Sequence, residues 1–163
     1  KEKLAEAEAT DVYALFALTG MTLIKTMGGA SGIIFGSLFW AGAKGKEPKA
    51  TLSTQEFADI FQTGLTEVMR KGGAKPGDKT VVDALDHMVK ALQEQASSGK
   101  DFLEMLREGA KAAEAGKEAS KQYVARFGKA KSLGERAVGY PDAGAVSLTV
   151  IAQAMLNWAE QEL

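Results

Sequence analysis

Apolar residues recur three and four positions apart along almost the whole of this 163-residue chain. That spacing places them on one face of an α-helix, and no run alternates apolar and polar residues as a half-buried strand does. The clearest helix follows Ser53, which forms a capping box with Glu56. Its apolar stripe consists of Phe57, Ile60, Phe61, Leu65, Val68 and Met69. The sequence therefore predicts an all-α protein.

About six helices are expected, joined by short glycine-rich turns and by a clear loop at Lys44–Lys49. The last should run from about Ala143 to Glu160. Trp40 and Trp158 fall at helical spacings, as do the methionines, and we expect them in the core. The predicted architecture is a single domain, an antiparallel helical bundle or closed helix barrel. The expected helix starts are Thr10 with Asp11, Gly28–Gly32, Ser53, Asp78, Asp101 and Asp142.

Composition excludes several classes of function. The net charge is −1, from 20 basic and 21 acidic residues, so no broad basic field favours nucleic acid as a partner. The chain has no cysteine and one histidine, which excludes disulfides, thiolate zinc sites and His-rich metal sites. No segment approaches the roughly 18 uncharged apolar residues of a membrane span. We expect a cytoplasmic protein without a signal peptide or a membrane partner.

Three glycine-rich segments, Gly28–Gly32, Gly77–Thr80 and Gly128–Ser147, lie at expected helix ends. Helix starts with small residues and bare backbone N–H groups favour phosphate binding, so they suggest a nucleotide site. Each segment also has a purely structural interpretation. The glycines of the first would let helices cross closely, with Ser31 as an N-cap. In the second, Pro76 and Gly77 would form a turn before an Asp78 N-cap.

Gly72–Thr80 superficially resembles a Walker A loop. That loop requires Gly-Lys-Ser/Thr in direct succession, but here Asp78 separates Gly77 from Lys79. It also requires a preceding strand, where this sequence predicts a helix. We therefore reject a P-loop. His87 lies within a predicted helix and is expected to be structural or exposed, so no catalytic residue is assigned.

Taken together, the segments are more specific than any one alone. The chain resembles the nucleotide-binding L subunit of dihydroxyacetone kinases from about Ala9 onward. That resemblance implies a closed ring of eight antiparallel helices with the nucleotide at one end. It also implies phosphoryl transfer to dihydroxyacetone held by a separate K subunit. The segments that carry it are Gly20–Ile24, Gly28–Gly32, Pro76–Thr80, Leu133–Arg136 and Asp142–Ala145 with Ser147.

The resemblance also implies which residues contact ADP or ATP. Ala30 and Ser31 would meet the phosphates, and Gly72 and Val81 would line the adenine side. Asp142, Ala143 and Gly144 would close the site. Lys129 stands where the family often has an arginine that contacts phosphate. Lysine retains the charge but lacks the bidentate fork of the guanidinium.

Family members also carry a Gly-Asp-Gly-Asp-His-Gly-like loop whose aspartates hold two Mg²⁺ ions, and this sequence has no such motif. We therefore expect the metal ligands upstream of Lys1, and an N-terminally incomplete chain that is inactive alone. The resemblance is to stand-alone subunits in which ADP stays bound and a phosphotransferase-system protein rephosphorylates it. Two alternatives remain: a non-enzymatic nucleotide-binding regulatory module, and the nucleotide domain of a fatty-acid kinase.

Overall fold

The computed structural model describes residues 11–163, apart from the side chain of Lys129. Six α-helices and two 3-10 segments, Ser120–Gln122 and Lys129–Ala137, lie in this range without any β-strand, which confirms the all-α class. One compact unit ends at Gly73, and a second spans Ala74–Leu163. The helices are α1 (Val12–Met27), α2 (Gly29–Trp40), α3 (Thr54–Gly72), α4 (Val81–Ser97), α5 (Phe102–Ala119) and α6 (Ala143–Glu162).

Four of the predicted helix starts are confirmed by side-chain caps. Asp11 accepts hydrogen bonds from the amides of the first turn of α1, whereas Thr10, predicted with it, lies outside the described residues. Ser53 and Glu56 form the expected capping box. Asp101 and Asp142 cap α5 and α6.

Two predicted caps are wrong. The N-cap of α4 is Thr80, whose hydroxyl accepts from the Val82 amide while the Asp83 carboxylate accepts from the Thr80 amide. Asp78 instead closes the preceding turn by accepting from the Lys75 amide at 2.9 Å. The N-cap of α2 is Gly28, which places Ser31 inside the first helical turn.

The first unit is built on the apolar face of α3. In this unit α1 packs on α2, and α2 packs on α3. Phe57, Ile60, Phe61, Leu65 and Val68 are buried as the stripe predicts. Around Phe61, the rings of Phe16, Phe39 and Phe57 lie with centroids 5.0 to 6.2 Å from its own. Such offset and edge contacts add to the stability that burial of the rings provides.

Helices α1 and α2 cross at glycines. A Cβ built on Gly20 would lie 2.5 Å from the carbonyl oxygen of Gly36, and one on Gly36 would lie 2.6 Å from the carbonyl oxygen of Gly20. The Gly36 Cβ would also overlap the Ile24 side chain. A Cβ on Gly32 would meet the Leu23 carbonyl oxygen at 3.1 Å, so close crossing accounts for one glycine of Gly28–Gly32.

The second unit has its core among α4, α5 and α6, each of which packs on the other two. The core residues are Val82, Leu85, Met88, Val89, Leu92, Met105, Leu106, Leu148 and Leu156. Helix α6 buries the stripe Ala145, Leu148, Ala152, Leu156 and Ala159.

Some residues predicted in the core are exposed. Trp158 is 60% exposed because α6 buries a different stripe. Met27, at the end of α1, is 50% exposed. Trp40 is half-buried, with the Lys44 ammonium 4.6 Å from its ring centroid. Between residues 11 and 163 no helix has both the length and the apolar character needed to cross a bilayer.

The α1–α2 crossing predicts that Gly36→Ala destabilises the protein, because its methyl would meet the backbone of α1 2.6 Å away. Overpacking of this kind costs about 1–3 kcal/mol, measurable by denaturant unfolding. Gly109→Ala is the matched control, since its nearest neighbour is the tip of the flexible Leu92 side chain. Both variants gain the same helix propensity. Equal stability of the two would contradict the prediction.

Candidate functional site

The first turn of α2 offers backbone N–H groups to a ligand. Its N-cap is Gly28, with φ of +65°, and no side chain caps the helix. The first helical hydrogen bond runs from the Gly32 amide to the Gly28 carbonyl, so the amides of Gly29, Ala30 and Ser31 have no helical acceptor. Together with the helix dipole, such amides attract anions.

The side chains around this turn leave it open. Ala30 and Ser31 are exposed, and a Cβ built on Gly28 or Gly29 would meet no atom within 4 Å. No hydrogen bond of the Ser31 hydroxyl is found among the described residues. A group that approaches the amides therefore meets little obstruction, and the exposed hydroxyl adds a further donor.

Gly72 closes the last turn of α3 in the same unit. A Cβ at this position would lie 3.3 Å from Cδ1 of Ile34, which stands one turn after Ser31 in α2. The structure therefore places Gly72 beside the beginning of α2. Of the three predicted contacts of the first unit, Ala30 and Ser31 thus lie in the first turn of α2, and Gly72 lies at the end of α3 against Ile34.

In the second unit, the segment before α4 is a tight turn. Gly77 has φ of +93°, and the Asp78 amide donates to the Lys75 carbonyl, which confirms the predicted turn at Pro76 and Gly77. The Asp83 carboxylate accepts from the amides of Gly77 at 2.5 Å and Thr80 at 2.7 Å. Of the amides expected to be bare at Gly77–Thr80, those of Gly77 and Thr80 are therefore bonded to the chain's own Asp83 carboxylate, and that of Asp78 to the Lys75 carbonyl.

Val81 and the start of α6 lie against one another. A Cβ on Gly144 would be 3.0 Å from Cβ of Val81 and 3.0 Å from Oδ2 of Asp142. Oδ2 of Asp142 accepts from the Ala145 amide at 2.8 Å. The structure thus brings together Val81, Asp142 and Gly144, with Ala143 as the first residue of α6.

Burial raises the pKa of the Asp142 carboxyl. Hydrogen bonds from the amides of Ala145 and Gly144 oppose this shift, as does the positive charge of Lys79, while the charge of Asp83 adds to it. The half-buried Asp142 carboxylate thus caps α6 although desolvation disfavours its charged form.

The third glycine-rich segment carries exposed charge. Lys129 begins the 3-10 segment, and nothing is described of its side chain. Lys131 and Arg136 are exposed, as expected of a solvated loop. Gly134, with φ of +53°, interrupts the segment. The segment and the residues after it also expose apolar side chains, of which Tyr140 is 70% exposed.

Sequence reasoning missed Lys79. Its side chain is buried, and its ammonium donates to the carbonyl oxygens of Ser120 at 2.7 Å and Tyr140 at 2.6 Å. Lys79 has φ of +59°, the one positive φ among the described residues other than glycine. A lysine in a polar turn carries no pattern that distinguishes a buried side chain from an exposed one.

The described residues provide no evident metal centre. Between residues 11 and 163 no group of three or more His, Asp or Glu side chains could hold an ion. His87 is exposed, and its Nδ1 lies 2.8 Å from the Asp83 carbonyl oxygen, which agrees with the structural role expected of it.

The desolvated Asp142 generates a prediction about pH. Asp142→Asn keeps the acceptor for the Ala145 amide but removes the buried charge. Above pH 3.8, the ordinary value for aspartate, the folded wild type still holds a proton that the unfolded chain has released, because its pKa is raised. Wild-type stability therefore falls as pH rises through this window, and the variant escapes that loss.

The measurement is the free energy of unfolding from pH 3.5 to 7, by denaturant titration. The difference, variant minus wild type, should grow as pH rises above 3.8 and then level off. Asp142→Ala is the control, because it loses the cap and with it about 0.5–2 kcal/mol. If the difference between Asp142→Asn and wild type stays constant from pH 3.5 to 7, burial of the charge has no effect on stability.

Comparison with known proteins identifies the family. Residues 1–157 match the DAK2 domain. The chain is 34% identical over 161 residues to the ADP-binding subunit DhaL of the PEP-dependent dihydroxyacetone kinase of Escherichia coli, covering 99% of this chain and 76% of that protein. It is 34% identical over 143 residues to the triokinase/FMN cyclase of Homo sapiens, covering 88% of this chain and 24% of the human protein.

A solved structure agrees with these matches. The crystal structure of the dihydroxyacetone kinase from C. freundii in complex with AMP-PNP and Mg²⁺ superposes with a TM-score of 0.63 at 28% identity. It covers 90% of this chain and 23% of that one. All these relatives are kinases of the phosphotransferase class. The chain belongs to the DAK2 domain family and is similar to the DhaL subunits of dihydroxyacetone kinases.

Proposed function

We propose that the chain acts in the cytoplasm as the nucleotide-binding subunit of a dihydroxyacetone kinase. It would hold ADP or ATP and present the γ-phosphoryl group to dihydroxyacetone bound on a separate K subunit. One observation carries this proposal: α2 begins with amides that no side chain caps, in a chain 34% identical to an ADP-binding subunit over 99% of its length. A regulatory module or a fatty-acid kinase domain would share the binding but not the transfer to dihydroxyacetone.

In the first unit, the amides of Ala30 and Ser31 and the Ser31 hydroxyl would bind phosphate oxygens. Gly28 and Gly29 permit this approach because no Cβ stands in the way. Gly72 lies against Ile34 of α2. Because it has no side chain, it would let the adenine side of the nucleotide approach closely. These groups supply direction and partial positive charge, the two requirements for holding a phosphate in place.

In the second unit, we propose Val81, Asp142, Ala143 and Gly144 as further nucleotide contacts. Val81, 9% exposed and packed beside Gly144, would contact the base through its apolar side chain. Lys129 would bring a point charge to the phosphates without the fork of an arginine.

Two Mg²⁺ ions, when bound, would neutralise negative charge on the phosphates. The described residues do not fit this role, because they contain no suitable cluster of carboxylates. We therefore propose that the ligands lie outside residues 11–163, and we assign no step to the metal here.

The phosphoryl donor is a further part of the proposal. The Escherichia coli relative belongs to a PEP-dependent kinase, which supports ADP as a resident coenzyme rephosphorylated by a phosphotransferase-system protein. The human relative is a triokinase of which the chain covers 24%, so ATP as an exchanging substrate is the competing scheme. ADP that stays with the purified protein through dialysis would favour the coenzyme scheme.

The exposed Ser31 hydroxyl tests the phosphate site. Ser31→Ala should leave stability within about 0.5 kcal/mol of wild type, because Ser31 is not the N-cap. Hydrogen bonds to charged groups contribute about 1.5–3 kcal/mol, so affinity for Mg²⁺-ADP should fall at least about tenfold in the full-length protein. Calorimetry and thermal melting measure the two effects.

Ser97→Ala is the matched control, since the Ser97 hydroxyl bonds back to the Gln93 carbonyl within α4. It should preserve ADP affinity. If Ser31→Ala binds ADP as tightly as Ser97→Ala, the start of α2 is not the phosphate site.

The proposed partnership makes a separate prediction. The full-length subunit alone should transfer no phosphoryl group to dihydroxyacetone, and a sugar-binding K subunit should restore transfer. The basic residues Lys129, Lys131 and Arg136 lie in one segment and suit an acidic edge on that partner. Arg136→Glu should therefore slow association, with a smaller effect at high salt.

Lys90→Glu provides the same charge change on α4, where Lys90 is exposed and paired with Asp86. It should leave the association rate near that of wild type. Stopped-flow mixing at several salt concentrations measures the rates. Turnover by the isolated subunit would contradict the need for a K subunit. Equal slowing by both variants would contradict docking through the basic residues of this segment.

A further inference from the structure

The buried side chain of Lys79 links segments that are distant in sequence. Its ammonium donates to the Ser120 carbonyl, 41 positions away, and to the Tyr140 carbonyl, 61 positions away. Ser120 lies at the end of α5, and Tyr140 lies two residues before the Asp142 cap of α6. One side chain therefore joins the turn before α4 to the approach into α6.

This arrangement has two energetic costs. Burial disfavours the charged ammonium and lowers the pKa of Lys79, although the charges of Asp142 and Asp83 oppose that shift. The left-handed backbone at φ of +59° adds a steric cost for a residue with a Cβ. Lys79 keeps its left-handed backbone and its buried ammonium in spite of both costs. This points to a role that an exposed lysine would not fill.

Further hydrogen bonds converge on the same place. The Ser120 hydroxyl accepts from the Asp142 amide at 3.0 Å and donates to the Lys117 carbonyl. The Gly139 amide donates to the Lys121 carbonyl at 2.8 Å. Lys79 also bonds the Ser120 carbonyl. It therefore holds in place the residue whose hydroxyl accepts from the amide of Asp142, the N-cap of α6.

We propose that Lys79 is a positioning residue for nucleotide binding, which holds the start of α6 against Val81. The inference rests on the proposed function, because Val81, Asp142 and Gly144 are proposed contacts of the nucleotide. Lys79 itself is buried and contacts no ligand. It acts through the Ser120 and Tyr140 carbonyls on the geometry of the α6 start.

Hydrogen exchange tests the positioning without any ligand. Lys79→Met keeps the length of the side chain but removes the donor. Amide exchange in residues 139–146 should rise about tenfold, while exchange in the buried part of α5 stays unchanged. Lys90→Met, at an exposed lysine of α4, should change neither region. Unchanged exchange in residues 139–146 of a folded Lys79→Met variant would overturn the proposal.

Binding of Mg²⁺-ADP to the full-length protein tests the consequence. Lys79→Met should lower affinity about tenfold, and Lys79→Arg, which keeps a cationic donor, should recover part of the loss. A merely structural role would lower the melting temperature but leave the affinity of the folded fraction unchanged, and that result would overturn the proposal. If wild type binds no ADP, the proposed function fails, while hydrogen exchange still decides whether Lys79 positions α6.

Ser120→Ala covers the case in which Lys79→Met does not fold. It retains both carbonyls that Lys79 contacts but removes the acceptor of the Asp142 amide. It should raise exchange in residues 139–146 and weaken ADP binding in parallel. Wild-type exchange and affinity in Ser120→Ala would overturn the proposed route from Lys79 to the α6 start.

Discussion

The open first turn of α2 is the constraint on which the proposed site depends. Every α-helix begins with amides that have no partner inside the helix. In the described part of the chain, five helices cover theirs with Asp11, Ser53, Thr80, Asp101 and Asp142. Helix α2 begins at Gly28 without a side-chain cap. The exposed start of α2 therefore leaves its amides open to a ligand that would take the place of a cap, as the proposed function requires.

The contact between α1 and α2 makes this open start possible. Gly20 and Gly36 bring the two backbones so close that no side chain fits at either position. The crossing and the buried face of Phe35 and Leu38 hold α2 from its middle onward. Its first turn therefore needs no cap to remain helical, because most helical stability in proteins comes from packing.

Local signals explain how much of the structure the sequence could predict. Ser53 with Glu56, and the stripe that follows, identify α3 because cap and apolar period agree. Asp78 and Thr80 are both good caps two residues apart, and the choice between them depends on Asp83, which bonds the Thr80 amide. Local preference alone does not rank two such caps.

Trp158 shows a different limit. Helix α6 has apolar residues on more than one face, so its period indicates a helix without indicating which face is buried. Small residues decide which face is buried, because Ala145 and Ala159 allow close packing and are fully buried, whereas Trp158 is exposed.

The fold nevertheless brings the predicted site residues Val81 and Gly144 together. Their contact depends on α4 and α6 packing, which no short motif encodes.

The charges in the two units suggest different roles in holding a nucleotide. In the second unit Asp78 and Asp83 are buried carboxylates and Asp142 is half-buried, with Lys79 as a buried cation bonded to carbonyl groups. Because these three carboxylates outnumber the one buried ammonium, this region is unfavourable for phosphate. In the first unit the α2 start presents donors without a nearby capping carboxylate. Within the first unit, electrostatics therefore favours phosphate at the start of α2, where the family resemblance places Ala30 and Ser31.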